Sequence, residues 1–248
     1  MNIKFLQYNI AACRNYDTPN IEVNAEQVAE AIKSFDPDIV TLNEVDCKSD
    51  RSGNVDQLQF FTDKLGFYSY YAPSIEIPGG KYGIALLSRY KIVSAETIKI
   101  PDTISETNKE LFEPRVLLSA VLDVNGASLR VMTSHFGLSP EEQEQAVSVT
   151  LNELSDKKMP TIFSGDLNMY PDNPFISKIT SVMKDTANIC SFVPQTYPSY
   201  QIPSFPAHDL FPRKIDYVFV SEEIETLAVN SPAIKLSDHR PYFCVLSL

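Results

Sequence analysis

Three consecutive segments near the start of the chain limit its fold more than any other feature. Residues 3–9 (IKFLQYN) form a short β-rich run. Residues 24–35 then carry Ala25, Val28, Ala29 and Ile32 at helical spacing. Asn24 with Gln27 suits a capping box, and Pro37 stops the helix. Residues 38–44 (DIVTLNE) come next as a buried strand whose apolar course ends in Asn43 and Glu44. The order is β-α-β.

Strands dominate the remainder of the chain. A second helix is expected over residues 54–65, where Val55, Leu58, Phe61 and Leu65 recur and Gly66 can close the end. Strands are expected near 68–72, 82–88, 92–100, 115–124 and 128–135, with Asn125-Gly126 a strong hairpin signal between the last two. Ser139-Pro140-Glu141-Glu142 is a capped helix start that should run to about Leu154. A strand over 160–165 delivers Asp166 and Asn168 into a loop, and 174–183 reads as helical. Lys214–Val220, a polar turn around Ser221–Glu223, and Arg240–Leu246 close the chain as β structure. Hairpins mixed with helical crossovers predict an α/β (α+β) fold with two mainly antiparallel sheets packed face to face and helices outside. With 248 residues and no Gly/Ser linker, charge block or repeat, residues 1–248 read as a single domain.

The net charge of −11 argues against a broad basic face for gripping duplex nucleic acid. It is compatible with clustered carboxylates that hold divalent cations. Cys13, Cys47, Cys190 and Cys244 are widely separated, with no CxxC pair, and read as reduced small hydrophobes. No run is apolar enough to span a membrane. Residues 10–13 (IAAC) resemble a lipoprotein cleavage site, but Gln7, Tyr8 and Asn9 before them are too polar for a signal core, and the cytoplasm is the expected location.

Polar residues stand where apolar strands end: Asn9 after IKFLQY, Glu44 after DIVTLN, His135 after LRVMTS, Asp166 and Asn168 after TIFSG, and Asp238 and His239 before RPYFCVL. Strand ends are rigid and can point into one cleft. Singly, each has a bland explanation as a turn or capping residue. Together they supply oxygen ligands for a hard cation, a histidine for proton transfer and amide donors for phosphate oxygens. The runs QYN (7–9), NEVD (43–46), TSH (133–135), GDLN (165–168), IDYVFVS (215–221) and SDHRP (237–241) occur in order over nearly the whole chain. In this they resemble the endonuclease/exonuclease/phosphatase family. The resemblance implies a four-layer α/β sandwich and hydrolysis of phosphoesters.

By matched position, the resemblance gives Glu44 as the principal metal ligand, Asn9 near the same ion, and Asp238 contributing to it or to a second ion. Oxygen ligands suit Mg²⁺ or Mn²⁺ better than Zn²⁺. His239 becomes the catalytic base or a phosphate contact, with Asp216 on its other ring nitrogen favouring the imidazolium. Asp166 orients or deprotonates the attacking water, Asn168 donates to a phosphate oxygen, and His135 contacts phosphate and assists the leaving group. Whether Asp166 or His239 takes the proton is open. Tyr82 and Arg115 stand outside this set, the first as a substrate border or a buried aromatic, the second as a substrate contact or an ion pair. His208 reads as a surface histidine in a long Pro-rich loop. The mechanism implied is in-line attack of water, without a covalent intermediate. The chain has no GxSxG elbow and no GxxxxGK[ST] loop.

The expected function is metal-dependent hydrolysis of a phosphodiester, small-molecule or lipid-derived rather than nucleic acid. A DNA or RNA nuclease, guided by Arg213, Lys214 and Arg240, and a non-catalytic binding module are the alternatives. No protein partner is inferred, and a monomer is expected. Substrate choice falls to the loops at 101–114 and 194–212.

Overall fold

The first β-α-β unit folds around a parallel strand pair. In the computed structural model, which describes residues 1–15, 22–103, 113–155, 159–191, 193–200 and 213–248, β1 (Asn2–Asn9) is followed by a small β2 (Arg14–Asn15) and β3 (Glu22–Val23) ribbon, α1 (Ala25–Ser34) and β4 (Ile39–Cys47). β4 lies parallel to β1, so α1 is the crossover. Next come α2 (Gln57–Leu65), β5 (Tyr68–Ile77), β6 (Gly80–Ser88), β7 (Lys91–Lys99), β8 (Val116–Val124) and β9 (Ala127–His135). In a second crossover, α3 (Pro140–Leu154) leads to β10 (Thr161–Asp166), parallel to β9. The chain ends with α4 (Pro174–Thr180), β11 (Lys184–Asp185), β12 (Asp216–Val220), β13 (Glu225–Asn230) and β14 (Tyr242–Ser247).

One sheet has the order β13-β14-β1-β4-β6-β5, and the other β11-β12-β10-β9-β8-β7. In each, the inner pair joined by a helical crossover is parallel and the remaining neighbours are antiparallel. Period-two alternation sends Ile3 and Phe5 of β1 to the face between the sheets, where they meet Leu118, Val131, Ile162 and Val218 of the other sheet. Leu6 and Tyr8 go to the opposite face, under Val28, Ala29 and Ile32 of α1 and Phe61 of α2. Met132, Phe163 and Phe219 of the second sheet pack beneath Ala146 and Val147 of α3 and Ile176 and Ile179 of α4. The result is the expected four-layer sandwich.

Local signals mostly hold. Ser139 and Glu142 form a reciprocal capping box with Pro140 in the first turn. Asn125 and Gly126 take positive φ, 55° and 92°, as a two-residue hairpin with right-handed strand twist requires. The Asn24 capping box does not form: the Asn24 side chain makes no capping hydrogen bond, and its backbone N–H donates to Cys13 O at 2.8 Å. α2 starts later than expected because Asp56 caps it, accepting from Gln59 N. α4 ends at Thr180, and β12 begins at Asp216 rather than Lys214. β13 has no counterpart among the expected strands. It is a sheet edge whose residues are half-buried or exposed, so it leaves no buried-face period in the sequence.

The four cysteines are free, with Cys13 and Cys244 buried. No helix among the described residues is long and apolar enough to cross a membrane.

Candidate active site

The face between the sheets changes character along its strands. At one end it is apolar; toward the C-terminal ends of β1, β4, β9 and β10 it carries Gln7, Asn9, Thr41, Asn43, Thr133, His135, Ser164 and Asp166, all buried. Buried polar groups need partners, and several here bond across the gap. Thr41 Oγ1 lies 2.9 Å from Ser164 Oγ and donates to Gln7 Oε1 at 2.7 Å. Asn43 Oδ1 accepts from Gln7 Nε2 at 2.6 Å and from the Asp166 N–H at 2.8 Å. Both parallel pairs therefore end at one edge of the sandwich, where open α/β sheets present ligand sites.

Strand register sets the site in rows. Asn9 pairs with Asn43 in one sheet; His135, Asp166 and Asp216 are neighbours in the other. Glu44 reaches the cleft through a bulge. Leu42 pairs with Ala85 and Val45 with Gly83, so two residues of β4 oppose one of β6, and Glu44 takes φ 57°. The extra residue turns Glu44 away from the helix-covered face that receives Leu42 and Val45. Gly165 lets β10 run close to β9: at φ 148°, a Cβ there would stand 1.9 Å from Ser134 O.

All eight residues expected from the sequence come together. Glu44, His135, Asp166, Asn168, Asp238 and His239 line a cleft of about 670 Å³. Asn9 and Asp216 stand immediately behind them. Asn9 Nδ2 donates to Glu44 Oε1 and Asp166 Oδ2, both at 3.0 Å, while its Oδ1 accepts the Ala11 N–H at 3.1 Å. Ala11, Ala12 and Cys13 form a left-handed turn, with φ of 47°, 53° and 58°, that aims this N–H back at Asn9. His239 Nδ1 lies 2.8 Å from Asp216 Oδ2, and its Nε2 is 3.5 Å from Asp166 Oδ2. Asp166 Oδ1 accepts the Asn168 N–H at 3.0 Å. Asn168 Nδ2 donates to Phe136 O at 3.0 Å and approaches His135 Nε2 at 3.3 Å.

The two histidines are held in opposite states. Burial drives His135 well below its ordinary value, helped by the charges of Arg115 and His239, so it is neutral. Burial acts on His239 in the same direction but is outweighed by Asp216 and Asp166, which raise it well above the ordinary value. Asp166 is pushed up to about 7 by burial, with His239 opposing and Asp216 adding. Burial also raises Glu44, and the neighbouring Asp238 carboxylate raises it further. Two carboxylates sharing one cleft form an oxygen-only donor set that fits a hard divalent cation. Among the described residues, Asp166, Asp216 and His239 bring ligand-type atoms within 4.8 Å of one another. Of these atoms, His239 Nδ1 and Asp216 Oδ2 are engaged in their mutual hydrogen bond, and the Asp166 oxygens accept from Asn9 Nδ2 and the Asn168 N–H.

The cleft walls hold residues the motifs do not single out. The Tyr197 ring lies against His239, tilted by 52° at 4.9 Å between ring centres, and the Arg213 guanidinium lies 5.0 Å from the Tyr197 ring centre. Arg51 and Ile75 line the side next to Tyr82. Tyr82 both borders the cleft and is buried, its hydroxyl 3.4 Å from His135 Nδ1. Arg115 pairs with Glu113 at 2.9 Å. Asn43, central to the network beneath, shows in the sequence only as the polar end of a strand. Lys214 is buried, paired with Asp185 and packed 4.1 Å from the Tyr217 ring centre. Residues 104–112 and 201–212, including His208, lie outside the described residues.

This geometry agrees with what the motifs imply, and a family comparison decides the matter. Residues 6–239 match the model of the endonuclease/exonuclease/phosphatase family. The chain belongs to this family. Members of the endonuclease/exonuclease/phosphatase family hydrolyse phosphoester bonds and generally use divalent metal ions. Solved structures of similar fold include an endonuclease/exonuclease/phosphatase from Beutenbergia cavernae, 22% identical with TM-score 0.78, covering 100% of this chain and 72% of that one. Another, from Bacteroides vulgatus, is 21% identical with TM-score 0.78 and covers 100% and 99%. A mannosyl-6-phosphatase of Bacteroides thetaiotaomicron is 15% identical with TM-score 0.75, covering 99% and 100%.

Proposed function

We propose that this protein is an Mg²⁺- or Mn²⁺-dependent phosphodiesterase acting on a small-molecule or lipid-derived substrate. The observation that carries this reading is the placing, in one cleft, of the Glu44 and Asp238 carboxylates with Asp166 and His239, the latter paired to Asp166 at 3.5 Å and hydrogen-bonded from behind to Asp216. Glu44 and Asp238 would hold the cation, with Asn9 fixing Glu44 through its amide. A bound divalent cation supplies Lewis-acid stabilisation of the charge gathering on the phosphoryl oxygens.

The chain's own groups divide the remaining work. Asp166, with its oxygens fixed by Asn168 N and Asn9 Nδ2, orients the attacking water and takes its proton. The water oxygen bonds to phosphorus as the opposite ester oxygen leaves, carrying the electron pair of the broken bond. His239, kept as imidazolium by Asp216, donates to a phosphoryl oxygen. His135 and the Asn168 amide supply neutral hydrogen-bonding groups on the other side.

A diester is favoured because the cleft offers two groups of side chains that could each receive a substituent: Arg51 and Ile75 beside Tyr82, and Tyr170 and Tyr197 around Arg213. The net charge of −11 and the enclosed Lys214 weigh against a nucleic-acid grip. Comparing hydrolysis of bis-(p-nitrophenyl) phosphate and p-nitrophenyl phosphate, with Mg²⁺, Mn²⁺ or EDTA, tests this reading. Faster metal-dependent turnover of the diester supports it; turnover of the monoester alone would overturn the diester assignment.

A further inference from the structure

Asp46, the last residue of the NEVD run, takes no part in the hydrolytic chemistry, yet its carboxylate is fully enclosed. Arg51 donates Nε to its Oδ2 at 2.9 Å and Nη2 to its Oδ1 at 2.8 Å. Arg51 itself remains 41% exposed, lines the cleft with Glu44, and lies 5.1 Å from the Tyr82 ring centre. A carboxylate buried to hold a half-exposed arginine is a poor stability device, because its desolvation offsets the attraction. What the pair achieves is aim.

The aim is fixed in advance. The Asp46 N–H donates to Gln57 Oε1 at 2.9 Å, and the loop carrying Arg51 is tied by Lys48 N to Val55 O at 2.9 Å, Asn54 N to Ser49 O at 2.8 Å and Asp50 N to Pro78 O at 3.1 Å. Asp46 occupies the Nε/Nη2 side of the guanidinium, leaving the Nη1/Nη2 edge for a second partner. Tyr82 gives the direction: its hydroxyl meets His135 at the reacting centre, while Arg51 covers its ring.

We propose that Arg51, aimed by Asp46, is a preset subsite for a second oxyanion, a carboxylate or phosphate carried by a substituent of the substrate. This deepens the phosphoesterase reading and rests on it. Two parallel N–H donors match two oxygens of either anion, which a lysine ammonium cannot do. The anion lies beyond the scissile phosphorus, on the Arg51 and Ile75 side of the cleft.

The test is calorimetric titration, in Mg²⁺, with ethylphosphonate, carboxyalkylphosphonates and alkane-diphosphonates of two- and four-carbon spacing. The wild type binds at least one doubly anionic compound about ten-fold tighter than ethylphosphonate. Arg51→Lys, which keeps a cation for Asp46, loses that preference; if it fails to fold, the neutral Asp46→Asn/Arg51→Gln pair replaces it. Equal affinities in the wild type, or a preference that survives loss of the guanidinium, would overturn the subsite. The order of carboxylate and phosphate identifies the anion. Hydrolysis of bis-(p-nitrophenyl) phosphate by the same preparation is read separately: turnover without the binding preference removes only the subsite, and the preference without turnover removes the phosphoesterase reading.

Discussion

Asn43 Oδ1 accepts the backbone N–H of Asp166 at 2.8 Å, tying the end of β4 in one sheet to the end of β10 in the other. The same oxygen holds Gln7 Nε2, and Asn43 Nδ2 donates to Ser134 O at 3.2 Å. Together with the Thr41–Ser164 contact at 2.9 Å, this side chain ties the strand that presents Glu44 to the strand that presents Asp166. Asn43→Ala leaves two buried donors unpaired and should cost about 1–3 kcal/mol. Urea denaturation measures that loss, and initial rates should show kcat falling more than KM rises, because the displaced group is catalytic.

Asp216 is buried with Oδ2 on His239 Nδ1. Asp216→Asn keeps the shape but removes the charge that favours the imidazolium. A fall in kcat of about 10²-fold or more is expected with unfolding behaviour close to wild type. An unchanged kcat would remove His239 from proton or charge transfer.

Gly165 supplies room that no other residue can. With its Cβ position 1.9 Å from Ser134 O and φ at 148°, Gly165→Ala should force β9 and β10 apart. A loss of about 1–3 kcal/mol or more is expected by chemical denaturation, together with loss of turnover, since His135 and Asp166 are register partners across that contact.

On the surface, Asp36 accepts from Lys4 and Arg89, and these hydrogen bonds lower its pKa below the ordinary carboxylate value. A lowered folded-state pKa means that the unfolded chain binds the proton more readily. The contribution is therefore complete above the unfolded value of about 3.9 and is lost as pH falls through the folded one. Thermal midpoints of wild type and Asp36→Asn should differ at pH 6 and converge toward pH 3; a gap that widens on acidification would contradict the assignment.

The fold is legible in the sequence wherever burial is one-sided. α1 shows its face through Ala25, Val28, Ala29 and Ile32, and all four are buried. β13 and the β11 pairing leave no such mark, because edge residues have no fully buried face. Much of the site is legible because Asn9, His135 and Asp166 stand where apolar strands stop, as the last residues of β1, β9 and β10. Sequence could not show how Glu44 leaves the helix-covered face, since a bulge depends on pairing with β6. Arg51 and Tyr197 escape a sequence reading for a related reason: their loops meet the cleft only through tertiary contacts, Arg51 through Asp46 and Tyr197 through His239.

The most direct test of metal-dependent phosphodiester hydrolysis is the rate of bis-(p-nitrophenyl) phosphate turnover against Mg²⁺ or Mn²⁺ concentration, for wild type and Glu44→Gln. A saturable metal dependence abolished by EDTA is expected, with a Glu44→Gln rate lower by about 10²-fold at any metal concentration. Wild-type turnover unaffected by EDTA, or a Glu44→Gln curve that overlays the wild type, would contradict it.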